Sequence, residues 1–358
     1  APPPDPKPTD WTDLLRAIHA TPGERVVVLN HPRDLHAGFR PFDPEHFNPI
    51  IGTHRRGPLK VDAIEVVNSG ALQSDPWTPI RDWMAVLNHG ERITAVGASD
   101  SHDVARFIVG QGRTYIACPD GDPAHIDVER ACRALREGRA LVSLGLLARM
   151  TVEDRFSVGD LATKLGEQVH VAVEVFGPSW TTADRVGLYA DGIAIREAGL
   201  KPTPGPLKAR ITWTLPRPPH DVHLVAIATG PGVTAPYWPI ARPYQPTSRA
   251  WTPRVLGLTN PIYLDADGDG AWTSPRAYAE AVVERAGTSP DTLLPALRTY
   301  DEAVAAQAAA LCQAAGGDVR GDEFARHLRV APEPIQRGFA AFASTRKQTS
   351  NSPPQRED

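Results

Sequence analysis

Arg92-Ile93-Thr94-Ala95-Val96-Gly97-Ala98-Ser99-Asp100-Ser101-His102 runs a short β-branched strand straight into a turn of small residues that carries a carboxylate and an imidazole. A brief apolar run bounded by turn formers reads as a buried strand. Its neighbours decide what kind of sheet it joins. Arg25 to Leu29 reads as a strand ending at Asn30-His31-Pro32-Arg33, Val61 to Val67 as another, and Pro79 to Asn88 as a helix. Before them, Trp11, Leu14, Leu15 and Ile18 recur at helical spacing, and Pro22-Gly23 stops that helix. Beyond them lie an amphipathic helix over 126–138 and a strand over 140–144. Helix and strand alternate, so the expectation up to about residue 150 is an α/β parallel sheet or barrel, with its reacting groups at the carboxyl ends of strands.

The period then changes. Val169-His170-Val171-Ala172-Val173-Glu174-Val175 alternates strictly, and strands over 185–189, 211–215 and 223–228 follow, with Asp191-Gly192 as a hairpin turn. An antiparallel β-sandwich is expected. Past Ser274-Pro275 the chain turns helical, with helices over 275–286, from Ser289-Pro290 toward Gly316-Gly317, and over 322–328 and 334–343. The expected organisation is a Pro-rich lead-in (1–10), an α/β part (11–150), a sandwich with an Asp-rich loop (151–272), a helical tail (273–346) and a polar, disordered end (347–358).

Composition removes several classes of function. The 358 residues hold 38 Lys+Arg against 42 Asp+Glu, so no basic surplus is available to neutralise phosphates, and nucleic acid is not an expected partner. Three cysteines, Cys118, Cys132 and Cys312, are too few and too scattered for a disulfide framework or a Cys-rich zinc module. No apolar run approaches the ~20 residues that span a bilayer, so no membrane partner is expected. The chain opens on Ala1 in a Pro-rich stretch, which raises the expectation that upstream sequence belongs with it.

Chemistry concentrates at two strand ends. Asp100 and His102, at i and i+2, can turn a carboxylate oxygen and an imidazole nitrogen toward one divalent ion. His31, fixed by Pro32, is a further candidate ligand, and Arg33 stands where it can meet an anionic group on a substrate. Each pair alone also reads as ordinary strand-end polar residues. A third motif, Asp265-Ala266-Asp267-Gly268-Asp269-Gly270, copies the first half of a calcium loop, yet Arg276 stands where an EF-hand has its bidentate Glu. Asp265, Asp267 and Asp269 therefore read either as a looser calcium site or as a solvated acidic turn. Trp180, Trp213, Tyr237, Trp238 and Trp251 read as packing or as a sugar-stacking platform.

The succession Val27-Val28-Leu29-Asn30-His31-Pro32-Arg33, Asp62-Ala63-Ile64-Glu65-Val66-Val67-Asn68, Gly97-Ala98-Ser99-Asp100-Ser101-His102 and Gly110-Gln111-Gly112-Arg113-Thr114-Tyr115 resembles the later part of PHP-domain metallohydrolases, most of all the CehA/McbA-type, carbaryl-hydrolase-like subgroup. Leu258-Thr259-Asn260-Pro261-Ile262-Tyr263-Leu264-Asp265 resembles a segment near the end of the same proteins. The resemblance implies the later half of a distorted (β/α)7 barrel, followed by the sandwich and the helical tail. It implies zinc, manganese or iron at the strand ends, activating water against a small-molecule phosphoester, carboxyl ester or carbamate. His31 then matches a late histidine ligand and Asp100 and His102 the closing pair, with Asp100 also in reach of the water. Glu65 and Asn68 match pocket positions that are not ligands. The His-x-His strand that opens such barrels occurs nowhere in the 358 residues, so the chain by itself is expected to lack part of the site and to be inactive. The alternative is a non-catalytic binding or scaffold protein whose sandwich recognises carbohydrate or another protein.

Overall fold

A computed structural model describes residues 11–23, 25–33, 40–55, 57–72, 75–101, 109–233 and 254–350. After α1 (Trp11–Ala20), the chain forms β1 (Val28–Leu29), a small hairpin of β2 (Phe47–Asn48) and β3 (Thr53–His54), then β4 (Ala63–Val67), α2 (Trp77–His89) and β5 (Thr94–Gly97). β1, β4 and β5 lie side by side as a parallel sheet in that order. β4 is buried along its whole length. The apolar side of α2 covers the sheet, where Trp83 is fully buried and donates its indole N–H to the Ile93 carbonyl at 2.7 Å.

The alternating pattern ends earlier than the sequence implies. β6 (Gly112–Ile116), α3 (Val128–Arg136) and β7 (Ala140–Leu144) follow, but β6 and β7 pair antiparallel and enter a different sheet. Next come β8 (Leu147–Val152), β9 (Leu161–Ala162), β10 (Gln168–Phe176), β11 (Arg185–Ala190), β12 (Ile193–Gly199), β13 (Leu207–Pro216), β14 (Val222–Pro231), β15 (Arg254–Thr259) and β16 (Ile262–Leu264). The larger sheet runs β12-β11-β14-β15-β7-β6, and β13-β10-β8 forms a separate three-stranded antiparallel sheet. None of the described sheets closes on itself.

The larger sheet is the middle layer. On β14, Val225 and Ile227 join the core that contains Leu29, Ile64 and Trp83 of the parallel sheet and α2. The alternate residues Leu224, Ala226 and Ala228 join a second core with Val171 and Val173 of β10. A strand covered on both faces reads as an unbroken apolar run, as β14 does from Leu224 to Ala228. β10 is covered on one face only and keeps its strict alternation.

The helical tail comprises α4 (Pro275–Ala286), α5 (Pro290–Ala296), α6 (Glu302–Ala314), α7 (Asp322–Leu328) and α8 (Glu333–Ser350). Ser274 caps α4 by accepting from the Ala277 N–H, with Pro275 at the first helical position. The stretch from Ser289 toward Gly316 is two helices, because Asp301 caps a new one through the Val304 N–H. The tail's own core reaches the body at Ile51, whose carbonyl accepts from the fully buried Gln307 amide at 3.0 Å.

A polar joint fastens this tail. Asp191, in the turn between β11 and β12, accepts the His223 N–H at 2.9 Å, while its own carbonyl accepts from Asn88 of α2 at 3.0 Å. Desolvation, and next the facing Asp191 carboxylate, hold the Asp301 carboxyl well above its ordinary value of 3.8. A carboxyl raised on folding binds its proton more tightly in the native state. Its contribution to stability is therefore full below the ordinary value and is lost as pH rises toward the native one. Asp301→Asn keeps a good cap and removes the titration. The variant is expected to melt higher than the parent at neutral pH, with the gap closing as pH falls toward the ordinary carboxyl value of 3.8. Melting curves that stay parallel across that range would refute the assignment.

Candidate functional site

The carboxyl ends of β1, β4 and β5 come together because the register pairs Leu29 with Ile64 and Glu65 with Val96. His31 therefore lies beyond the end of β1, Asn68 beyond β4 and Asp100 beyond β5. Among the described residues seven non-glycines have positive φ, and two of them are His31 at 32° and Asp100 at 53°. That conformation is disfavoured for side-chain-bearing residues and collects where function requires an unusual backbone direction.

Glu65 stands between them. It is 4% exposed within an otherwise apolar strand. Its Oε2 accepts the His31 backbone N–H at 2.6 Å and the Asn68 amide at 3.4 Å. Burial pushes the Glu65 carboxyl above the usual carboxylate range; the His31 N–H and the charge of His31 pull it back, and the Asp100 carboxylate pushes it up again. The same carboxylate thus fixes the turn bearing His31 and feels the field of Asp100. Glu65 and Asn68, matched only to pocket positions in the sequence, frame this strand-end cluster. A lone acid inside an apolar strand was the signal for Glu65.

The turn bearing Asp100 is gripped from β6. Thr114 Oγ1 donates to the Gly97 carbonyl at 2.8 Å and accepts the Gly97 N–H at 2.9 Å. A Cβ at Gly112 would lie 2.1 Å from the Ala98 carbonyl oxygen, so only glycine permits this approach. Two residues earlier on β5, fully buried Asn260 does what Thr114 does. Its Oδ1 accepts the Ala95 N–H at 2.8 Å, and its amide donates to the Ala95 and Ala140 carbonyls, both at 2.9 Å. The outer edge of the parallel sheet is thereby closed by two side chains, Thr114 of β6 and Asn260 of the β15–β16 connection.

Arg33 is committed elsewhere than to a free substrate anion. Its Nη2 donates to Asp82 Oδ1 at 2.9 Å and its Nε to Asp82 Oδ2, while Asp82 is 1% exposed on α2. Burial raises the Asp82 carboxyl, and the Arg33 guanidinium counters that rise. A charge so buried must be paired, so Arg33 serves first as its partner. His102 lies outside the described residues.

The Asp-rich motif folds around an acid the sequence did not single out. Asp265 and Asp267 bring ligand atoms within 4.8 Å of Asp221, and Asp269 is not part of that trio. Asp221, fully buried, accepts the Ala266 and Asp267 N–H groups on Oδ1 at 2.8 and 3.3 Å, and the Thr273 N–H on Oδ2 at 2.8 Å. Asp265 accepts from Gly268 and Gly270, and Asp269 from the Ala271 N–H. Asp267 takes the Tyr278 hydroxyl at 2.9 Å, tying the loop to α4. The motif thus satisfies its own backbone. Burial raises the Asp221 carboxyl against the pull of those three amides.

Among the described residues, the only other three-residue group of this kind is Asp291, Glu323 and His327 in the tail. Neither group is at the strand ends. There, His31 and Asp100 offer nitrogen and oxygen donors of the type that zinc, manganese or iron accepts, and this donor chemistry fits such an ion. Of the sandwich aromatics, Trp213 packs against the second core and Trp180 is 45% exposed, while Tyr237, Trp238 and Trp251 lie outside the described residues. Among the described residues no helix is long and apolar enough to cross a membrane. Comparison of the chain with protein-family models, curated proteins and solved structures finds no match.

Proposed function

We propose that the chain carries the later strand ends of a PHP-type, metal-dependent hydrolase acting on a small-molecule phosphoester, carboxyl ester or carbamate. The observation that carries this reading is the placement of His31 and Asp100, both at positive φ, beyond the two strands that flank the one holding buried Glu65. His31 and Asp100, with His102, would hold zinc, manganese or iron. Such an ion, when bound, brings the pKa of a water toward neutrality and polarises the scissile ester oxygen. Glu65 orients His31 through its backbone N–H, and the β6 contact with Gly97 orients Asp100. An Asp100 carboxylate oxygen would take the proton from that water. Three ligands suffice for one ion with an open position, while a bridged pair needs the ligands that a His-x-His strand supplies.

The test is metal analysis of protein equilibrated with zinc or manganese, alongside hydrolysis of aryl phosphate, aryl ester and aryl carbamate. Asp100→Asn and His31→Gln are each expected to weaken metal retention about tenfold or more, in line with the loss of one ligand in three, and to abolish any turnover. Equal retention in parent and variants, with any turnover indifferent to both substitutions, would sink the proposal.

A further inference from the structure

A cleft of about 610 Å³ opens where the β2–β3 hairpin, α2 and the tail meet. Besides Arg33, which follows β1, its basic residues come from three distant segments: Arg55 follows β3, Arg81 lies on α2, and Arg320 stands between α6 and α7. Its apolar walls include Phe47, Ile50 and Phe342. Asp82 is the sole acid in the lining, and its carboxylate is already engaged by Arg33 at both oxygens.

The other three arginines have little to neutralise them beyond the share of the Asp82 charge that Arg81 feels alongside Arg33. Arg81 Nη1 is 4.0 Å from Asp75 Oδ2, with both side chains more than half exposed, a pairing of negligible strength in water. Among the described residues, Arg320 Nη2 reaches the Ala343 carbonyl, at 3.4 Å, and no carboxylate. Arg55 has no carboxylate partner among the described residues. Three like charges facing one concave space repel one another, and the low-dielectric walls strengthen their field toward anything that enters. A guanidinium fork matches the two oxygens of a carboxylate or phosphate, and the aromatic walls match an apolar body.

We propose that this cleft binds an oxyanion, a carboxylate or a phosphate monoester, carried on a short apolar or aromatic body. The cleft adjoins the turn after His31 through the Arg33–Asp82 pair, but its other three arginines lie on other segments, and the proposal does not depend on the hydrolase reading.

Calorimetric titration with 4-phenylbutyrate, phenyl phosphate and the neutral 4-phenylbutanol tests it. At least one of the two anions is expected to bind at one per chain, to weaken as salt is raised, and to outbind the alcohol at least tenfold. Arg81→Gln and Arg320→Gln, both at exposed positions, are each expected to weaken that anion about tenfold, as loss of a charge-assisted hydrogen bond does. Arg285→Gln on α4 and Asp100→Asn should leave it unchanged, the latter separating this cleft from any metal-bound phosphate. A tighter phosphate arm assigns a phosphate monoester, and a tighter butyrate arm a carboxylic acid. The proposal is overturned if neither anion binds, if the alcohol binds as well as both, or if affinity is indifferent to Arg81 and Arg320.

Discussion

Asn260→Ala is expected to lower the unfolding free energy by about 4 kcal/mol, three hydrogen bonds being removed at once from groups that water cannot reach. Ala95 is fully buried and Ala140 is 1% exposed, so the abandoned N–H and the two carbonyls have no replacement partner. Each such orphan costs roughly 1–3 kcal/mol, more than the bond itself is worth. Asn260→Asp separates the contributions, because it retains the acceptor for the Ala95 N–H while deleting both donors. Urea unfolding measures the difference, and a loss below about 1 kcal/mol for the alanine variant would show that the two sheets are held by their apolar contact alone.

Asp221→Ala is the second large effect, expected at about 3 kcal/mol. The substitution strips the acceptors from the Ala266, Asp267 and Thr273 N–H groups, and with them the order of the loop that leads from β16 into α4. Tyr278 is part of the same unit, since its hydroxyl accepts the Asp221 N–H at 3.2 Å while donating to Asp267. Asp221→Asn retains one side-chain oxygen and should fall between parent and alanine variant. Urea melts followed by helical circular dichroism report the tail directly. Equal stability of all three proteins would mean that the loop is ordered without Asp221.

Elements whose signals are local were legible in the sequence. The alternation over 169–175 is the heart of β10, and Ser274-Pro275 with Gly287 bounds α4 over the expected 275–286. The strand ends carrying His31 and Asp100 were legible too, since a β-branched run followed by small or turn-forming residues is a local pattern. Pairing was not. Val142 and Leu144 alternate with Leu141 and Ser143 in a way that suits either sheet, and it is the partners, β6 and the β15 that lies more than a hundred residues on, that draw β7 into the antiparallel one. Asp82, Asp221 and Asn260 escaped for the same reason: a buried polar side chain is explained by its partner, and the partners of Asp82 and Asn260 are 49 and 165 residues away. Asp301 escaped on both counts: the helical pattern reads straight past it although Asp before Glu302 is a local cap signal, and the facing Asp191 is set by tertiary packing.

The two side chains that close the outer edge of β5 also give the parallel sheet a direction. Ala95 and Gly97 present to Asn260 and Thr114 the backbone groups that a further strand would need, so nothing can be added on that side. The opposite edge is β1, two residues long, ending at the turn that bears His31. Among the described residues, a strand that enlarges this sheet has only β1 to dock against, and one of its ends then arrives beside His31, on the flank of the strand-end cluster away from Asp100.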